Sequence, residues 1–116
     1  MEHFNSISKT TDFGRAYRQG KSYGNNLLVM FAYCRGRDQE GRVGISVSKK
    51  VGNSIIRHRL KRQIRECFRT HLSEWKDGYD IVVVARQGAK SQEYSKLLEA
   101  LNSAGTCLGV YGRERD

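Results

Sequence analysis

The sequence predicts an α+β fold: a two-layer α/β sandwich in helix–strand–strand–helix–strand–helix order, with a small central sheet and one long basic helix. Two apolar runs, Leu27 to Cys34 and Tyr79 to Ala85, are rich in Val, Ile, Phe and Tyr and too short for confident helices, so both read as strands. Between them Arg42 to Ser48 alternates, with Val43, Ile45 and Val47 on one side and Gly44, Ser46 and Ser48 on the other. Two later stretches carry apolar residues at helical spacing instead.

The elements follow in order. Thr10-Thr11-Asp12 offers N-caps to a short helix bearing Phe13, Ala16 and Tyr17, and Gly20 stops it. Gly36 to Gly41 is a polar connection with glycine at both ends, suiting a hairpin between the first two strands. Gly52-Asn53-Ser54 caps a long helix running to about Trp75. Ser91 caps the last helix, where Tyr94, Leu97, Leu98, Leu101 and Ala104 form an apolar face and Gly105 takes the C′ place. No repeat or linker divides the 116 residues, and proline is absent. We read residues 1–116 as one domain, with a core at 8–104, a short N-terminal arm and a charged tail from Gly112 to Asp116.

Charge narrows the function. The net charge is +9 and the pI is near 9.8, which points to a polyanionic partner. No segment approaches a membrane span, and the first residues lack a secretion signal, so a cytoplasmic protein is expected. Cys34, Cys67 and Cys107 form no CxxC pair and read as buried reduced thiols.

Lys49 to Arg69 concentrates the charge: eight Lys and Arg face one acid, Glu66, leaving +7 of the chain's +9 in this segment. At about 100° per residue, Ile56, Leu60, Ile64, Cys67 and Phe68 fall on one side. His58, Arg62, Arg65 and Arg69 fall opposite, with Lys61 beside them and Arg57 and Arg59 on the flanks. A cationic helix face is ordinarily just solvated. Here acids at i±4 are nearly absent, and arginine, which forks onto phosphates, dominates. The helix also opens beside Lys49 and Lys50, where free N–H groups favour anions. The residues favour RNA or DNA binding.

These residues carry a specific resemblance. The ordered string Ser48-Lys49-Lys50, Gly52-Asn53, Arg57-His58-Arg59 and Lys61-Arg62-Gln63-Ile64-Arg65, then Phe68, resembles bacterial ribonuclease P proteins. Asp12-Phe13 with Tyr17 and Gly20, and Tyr79-Asp80-Ile81, extend the likeness from about Ser8 to Leu101. His58 departs from it, standing where the family usually has Asn. An imidazole still donates and accepts, with a pH sensitivity that an amide lacks.

The resemblance implies an arginine-rich helix on a catalytic RNA, with Lys49, Lys50, Asn53, Arg57, His58, Arg59, Lys61, Arg62, Arg65 and Arg69 as RNA-binding residues. It implies a cleft for the single-stranded 5′ leader of precursor tRNA, formed by Phe13, Tyr17, Phe31 and Ser46. From the residues alone these aromatics suit ordinary core as well as stacking on bases. The resemblance further implies a left-handed crossover through the long helix, against the usual hand of parallel βαβ units. It places the endoribonuclease active site and its Mg²⁺ in the RNA, so no catalytic or metal-ligating residue and no obligate protein partner is expected of this chain. Consistent with that, HExxH, P-loop and GxSxG motifs are absent from the sequence. The rival readings are a stand-alone RNA-binding or ribosome-associated protein, a DNA regulator, or a protein nuclease.

Overall fold

The computed structural model describes residues 1–112. The elements are α1 (Thr10–Gln19), β1 (Lys21–Gly24), β2 (Leu28–Cys34), β3 (Arg42–Ser46), α2 (Ser54–Thr70), β4 (Tyr79–Ala85) and α3 (Tyr94–Cys107), with single 3-10 turns at Leu72–Glu74 and Gln87–Ala89. The helix–strand–strand–helix–strand–helix order is present, with one further strand, β1.

The sheet runs β1-β2-β4-β3. β4 lies antiparallel to β2 and parallel to β3, so α2 is the crossover of a parallel β3–α2–β4 unit. This overturns the hairpin expected across Gly36 to Gly41. Ile81, Val82 and Val83 are buried on both faces of the sheet, so β4 takes a central place and separates β2 from β3. The 36–41 connection instead passes the start of β4: Arg35 N–H donates to Gly78 O at 2.7 Å, and Gly41 N–H to Asp77 Oδ1 at 2.9 Å. The true hairpin joins β1 to β2. Asn25 builds its turn, its Oδ1 accepting from the N–H groups of Leu27 and Leu28 at 3.0 Å each.

α2 and α3 cover one face of the sheet. Leu60, Ile64, Cys67 and Phe68 from α2, and Leu97, Leu101 and Ala104 from α3, pack with Leu28, Met30, Val43, Ile81 and Val83. α1 lies on the opposite face, where Ala16 and Phe13 meet Val82, Phe31 and Val84. The sandwich of sheet and helices therefore carries an extra helix across its second face.

Several boundaries differ from expectation. α1 begins at Thr10, its N-cap Lys9 makes no side-chain cap, and Asp12 is buried inside the first turn. α2 ends at Thr70, before Trp75, because Trp75 turns back into the core with its ring 4.5 Å from that of Phe68. α3 starts at Tyr94 after Glu93, so Ser91 is not its cap. Gly105 lies inside α3, where a Cβ would stand 2.6 Å from Trp75 ring carbons; close packing requires glycine there. The C′ residue is Gly109, at φ +75°, in a Schellman motif: its N–H bonds Thr106 O, and Val110 N–H bonds Gly105 O.

The packed core also reaches beyond residues 8–104. Met1, Ile7 and Val110 are buried, and the Tyr111 ring packs at a tilt against that of Trp75, centres 4.7 Å apart. The N-terminal segment pairs along the outer edge of β3, with Ile7 N–H to Val43 O at 2.9 Å and Val43 N–H to Asn5 O at 2.8 Å. That covers an otherwise open sheet edge. Of the expected tail, residues 113–116 lie outside the described residues.

Candidate nucleic-acid interface

Asn53 sets the start of α2. Its Oδ1 accepts from Ile56 N–H at 3.0 Å, and its carbonyl accepts from Arg57 N–H at 2.9 Å. Asn53, one of the predicted site residues, therefore also caps the helix. From this start the apolar stripe faces inward as the 3.6-residue period requires, leaving the cations outside.

His58, Arg59, Arg62 and Arg69 are exposed, as are Lys49 and Lys50; Arg57, Lys61 and Arg65 are half-buried. The face has two flanks. On one, Ser54, Ile55, His58, Arg59 and Arg62 line a shallow groove in which Ile55 is 78% exposed. On the other, Lys61 and Arg65 border a small recess with Phe4, Ser6, Ile7, Phe13 and Ile45, which brings the basic helix up to α1. Arg59 Nη2 donates to Lys90 O at 3.2 Å, and the Arg69 guanidinium lies 5.5 Å from the centre of the Phe4 ring.

Among the described residues no ion pair joins any cation of Lys49 to Arg69 to a carboxylate. Ion pairs of the sheet engage Arg15, Arg35 and Arg42 with Asp12 and Asp80 instead. Like-charged side chains at i, i+3 and i, i+4 on this helix cost a few tenths of a kcal/mol per neighbour pair. A polyanion removes that cost.

The second predicted group also converges. Phe13 and Tyr17 project from α1 with ring centres 6.4 Å apart, and Tyr17 meets Phe31 of β2 edge-on at 5.0 Å. The registers place Ser22, Phe31, Val82 and Gly44 in one row across the sheet, and Gly24, Val29, Val84 and Ser46 in the next. α1 covers the first row. The second contains only small side chains and is partly open, with Tyr17 41% exposed. Ser46 therefore belongs to this face, one row from the aromatic rings. The bulk-free side of β3 is only partly available to a ligand, because Phe13 fills the space above Gly44.

Sequence reading missed the network that joins Arg42 to Asp12 and Asp80. Asp80 has no exposed surface, and Arg42 grips it with Nε to Oδ1 at 2.8 Å and Nη2 to Oδ2 at 2.7 Å. Asp80 also raises the Arg42 guanidinium pKa, chiefly through this hydrogen bonding. The available signal was an acid in the apolar run Tyr79 to Ala85: a carboxylate there needs a cation. The cysteines also differ from expectation. Only Cys67 is buried, and burial pushes its pKa up to about 11; Cys34 and Cys107 are exposed.

Fold and site together define a small α+β protein whose arginine-rich helix, without ion pairs to carboxylates among the described residues, lies beside an aromatic sheet face. The model of the Ribonuclease P family matches residues 1–109. The chain is 44% identical over 108 residues to the ribonuclease P protein component of Clostridium botulinum, covering 92% of this chain and 96% of that one. It is 48% identical over 96 residues to that of Lachnoclostridium phytofermentans, covering 83% and 82%. Among solved structures, the Staphylococcus aureus RNase P protein superposes with a TM-score of 0.84 at 36% identity, covering 95% of this chain and all of that one. The Thermotoga maritima protein gives 0.75 at 31%, covering 84% and 91%. The chain belongs to the ribonuclease P protein component family.

Proposed function

We propose that this chain is the protein subunit of a cytoplasmic ribonucleoprotein endoribonuclease that removes the 5′ leader from precursor tRNA. On this reading α2 binds the catalytic RNA through Arg57, His58, Arg59, Lys61, Arg62, Arg65 and Arg69, with Lys49 and Lys50 at its start. The unpaired leader lies along the open row of the sheet, against the rings of Phe13, Tyr17 and Phe31. The RNA subunit with its Mg²⁺ ions supplies the phosphodiester chemistry. The chain neutralises phosphates and grips substrate.

The observation that carries this reading is the bare cationic face of α2, free of ion pairs to carboxylates among the described residues. Membership of the family supports RNA as the polyanion.

Reconstitution tests it. The purified chain is added to a bacterial ribonuclease P RNA at low Mg²⁺, and leader removal is followed. Stimulation that requires the RNA is the expected result. Cleavage by the chain alone identifies a protein nuclease, and RNA binding without stimulation identifies a stand-alone binder; either result overturns the proposal.

A further inference from the structure

Arg42 is shared between the sheet and α1. Two of its nitrogens are held by the fully buried Asp80 of the adjoining strand, at 2.8 and 2.7 Å. Arg35 Nε stands 3.6 Å from the same carboxylate. The third nitrogen of Arg42, Nη1, points to Asp12 Oδ2 at 3.4 Å. The other oxygen of Asp12 accepts from Arg15 Nη1 at 3.2 Å. Asp80 thus has its partners without Asp12, and the Asp12 arm is an additional tie between a fixed guanidinium and the first turn of a helix.

Among the described residues that helix makes no other ion pair to the sheet. α1 rests on a small apolar cluster around Ile7, Ala16 and Val82, and its N-cap lacks a side-chain bond. Asp12 immediately precedes Phe13, whose ring lies over Gly44. A rotation or lift of the first turn therefore moves Phe13 directly, and Tyr17 one turn later.

We propose that Asp12, acting through Arg42, is a positioning residue that fixes the height and angle of α1 over the sheet, and so determines how tightly the aromatic wall closes on an unpaired nucleotide strand. The inference rests on the cleft reading under Proposed function and adds its determinant. Asp12 touches no nucleotide in this account; the rings do.

The test uses holoenzyme reconstituted on a bacterial ribonuclease P RNA, with precursor tRNA bearing a leader and mature tRNA as probes. Asp12→Ala is expected to weaken precursor binding roughly tenfold, the worth of one charge-assisted hydrogen bond, with mature tRNA and catalytic RNA affinities unchanged. Asp12→Asn, which keeps an acceptor for Nη1, is expected to recover part of the loss, and it guards against a misfolded alanine variant. Unchanged discrimination in both variants overturns the inference, as does a parallel loss for both tRNAs and the catalytic RNA, which marks a purely structural role. Phe13→Ala separates the two levels. If it abolishes discrimination while the Asp12 variants do not, only the positioning role fails; if it too has no effect, the cleft reading fails and takes the inference with it.

Discussion

Phe13 of α1 lies directly over Gly44 of β3: a Cβ built on Gly44 would stand 2.7 Å from ring carbons Cε1 and Cζ. The missing side chain on the strand is the seat for the ring on the helix. Since β3 is also covered at its outer edge by the N-terminal segment, the ring, strand and arm form one packed corner next to Lys61 and Arg65.

Replacing Gly44 with valine should therefore act at a distance. The added methyls force Phe13 and the first turn of α1 away from the sheet, costing about 1–3 kcal/mol as overpacked core substitutions do. Thermal unfolding should report that loss. Precursor binding should weaken more than mature tRNA binding, because the aromatic wall moves with the helix.

Asp80→Ala removes a carboxylate with no exposed surface and leaves Arg42 facing an apolar strand without its main partner. Breaking one side of such a pair costs about 3–5 kcal/mol. Arg42 keeps some solvent access and its tie to Asp12, which places the expected loss toward the lower end. Denaturant titration measures it; a change within error would mean that the pair is not holding β3 to β4.

The three cysteines should separate by reactivity. Cys34 and Cys107 should modify rapidly with an aromatic disulfide reagent, and Cys67 only as fast as the protein unfolds. Cys67 also gives a pH dependence. Its pKa in the fold is pushed up to about 11 by burial, against 9.0 when unperturbed. Below about pH 9 both states hold the proton and the group contributes no pH dependence. Between 9 and 11 the unfolded thiol ionises first, so stability falls as pH rises. Cys67→Ser or Cys67→Ala, compared with the parent chain across that window, should flatten this part of the profile.

What the sequence discloses follows from how local each signal is. The two sides of α2 are legible because a helical period sorts Leu60 and Ile64 from Arg62 and Arg69 within a few residues. β4 is legible because its apolar run is unbroken from Ile81 to Ala85. β1 is not: each residue of Lys21-Ser22-Tyr23-Gly24 is exposed, so no apolar pattern marks it, and backbone pairing arranged by the Asn25 turn makes it a strand. The glycines at 36 and 41 suggest a hairpin locally, and that suggestion fails because a strand 38 residues beyond Gly41 needs the central position more. The Arg42 network is the least legible feature, since its partners lie 30 and 38 residues away in sequence. The aromatic group is intermediate. Helical spacing aligns Phe13 with Tyr17, but only the tertiary fold brings Phe31 against them.

The central claim is that the outward face of α2 meets the phosphates of a catalytic RNA. Affinity for a bacterial ribonuclease P RNA, measured against salt for the parent chain and for Arg62→Ala with Arg65→Ala, tests it most directly. Neither side chain belongs to the buried stripe of α2, so the double variant should fold normally. Its binding should be weaker at low salt, and the slope of log K against log salt should be shallower by about 1.4–1.8, the loss of two phosphate contacts. A slope that stays unchanged in a folded variant would contradict the account.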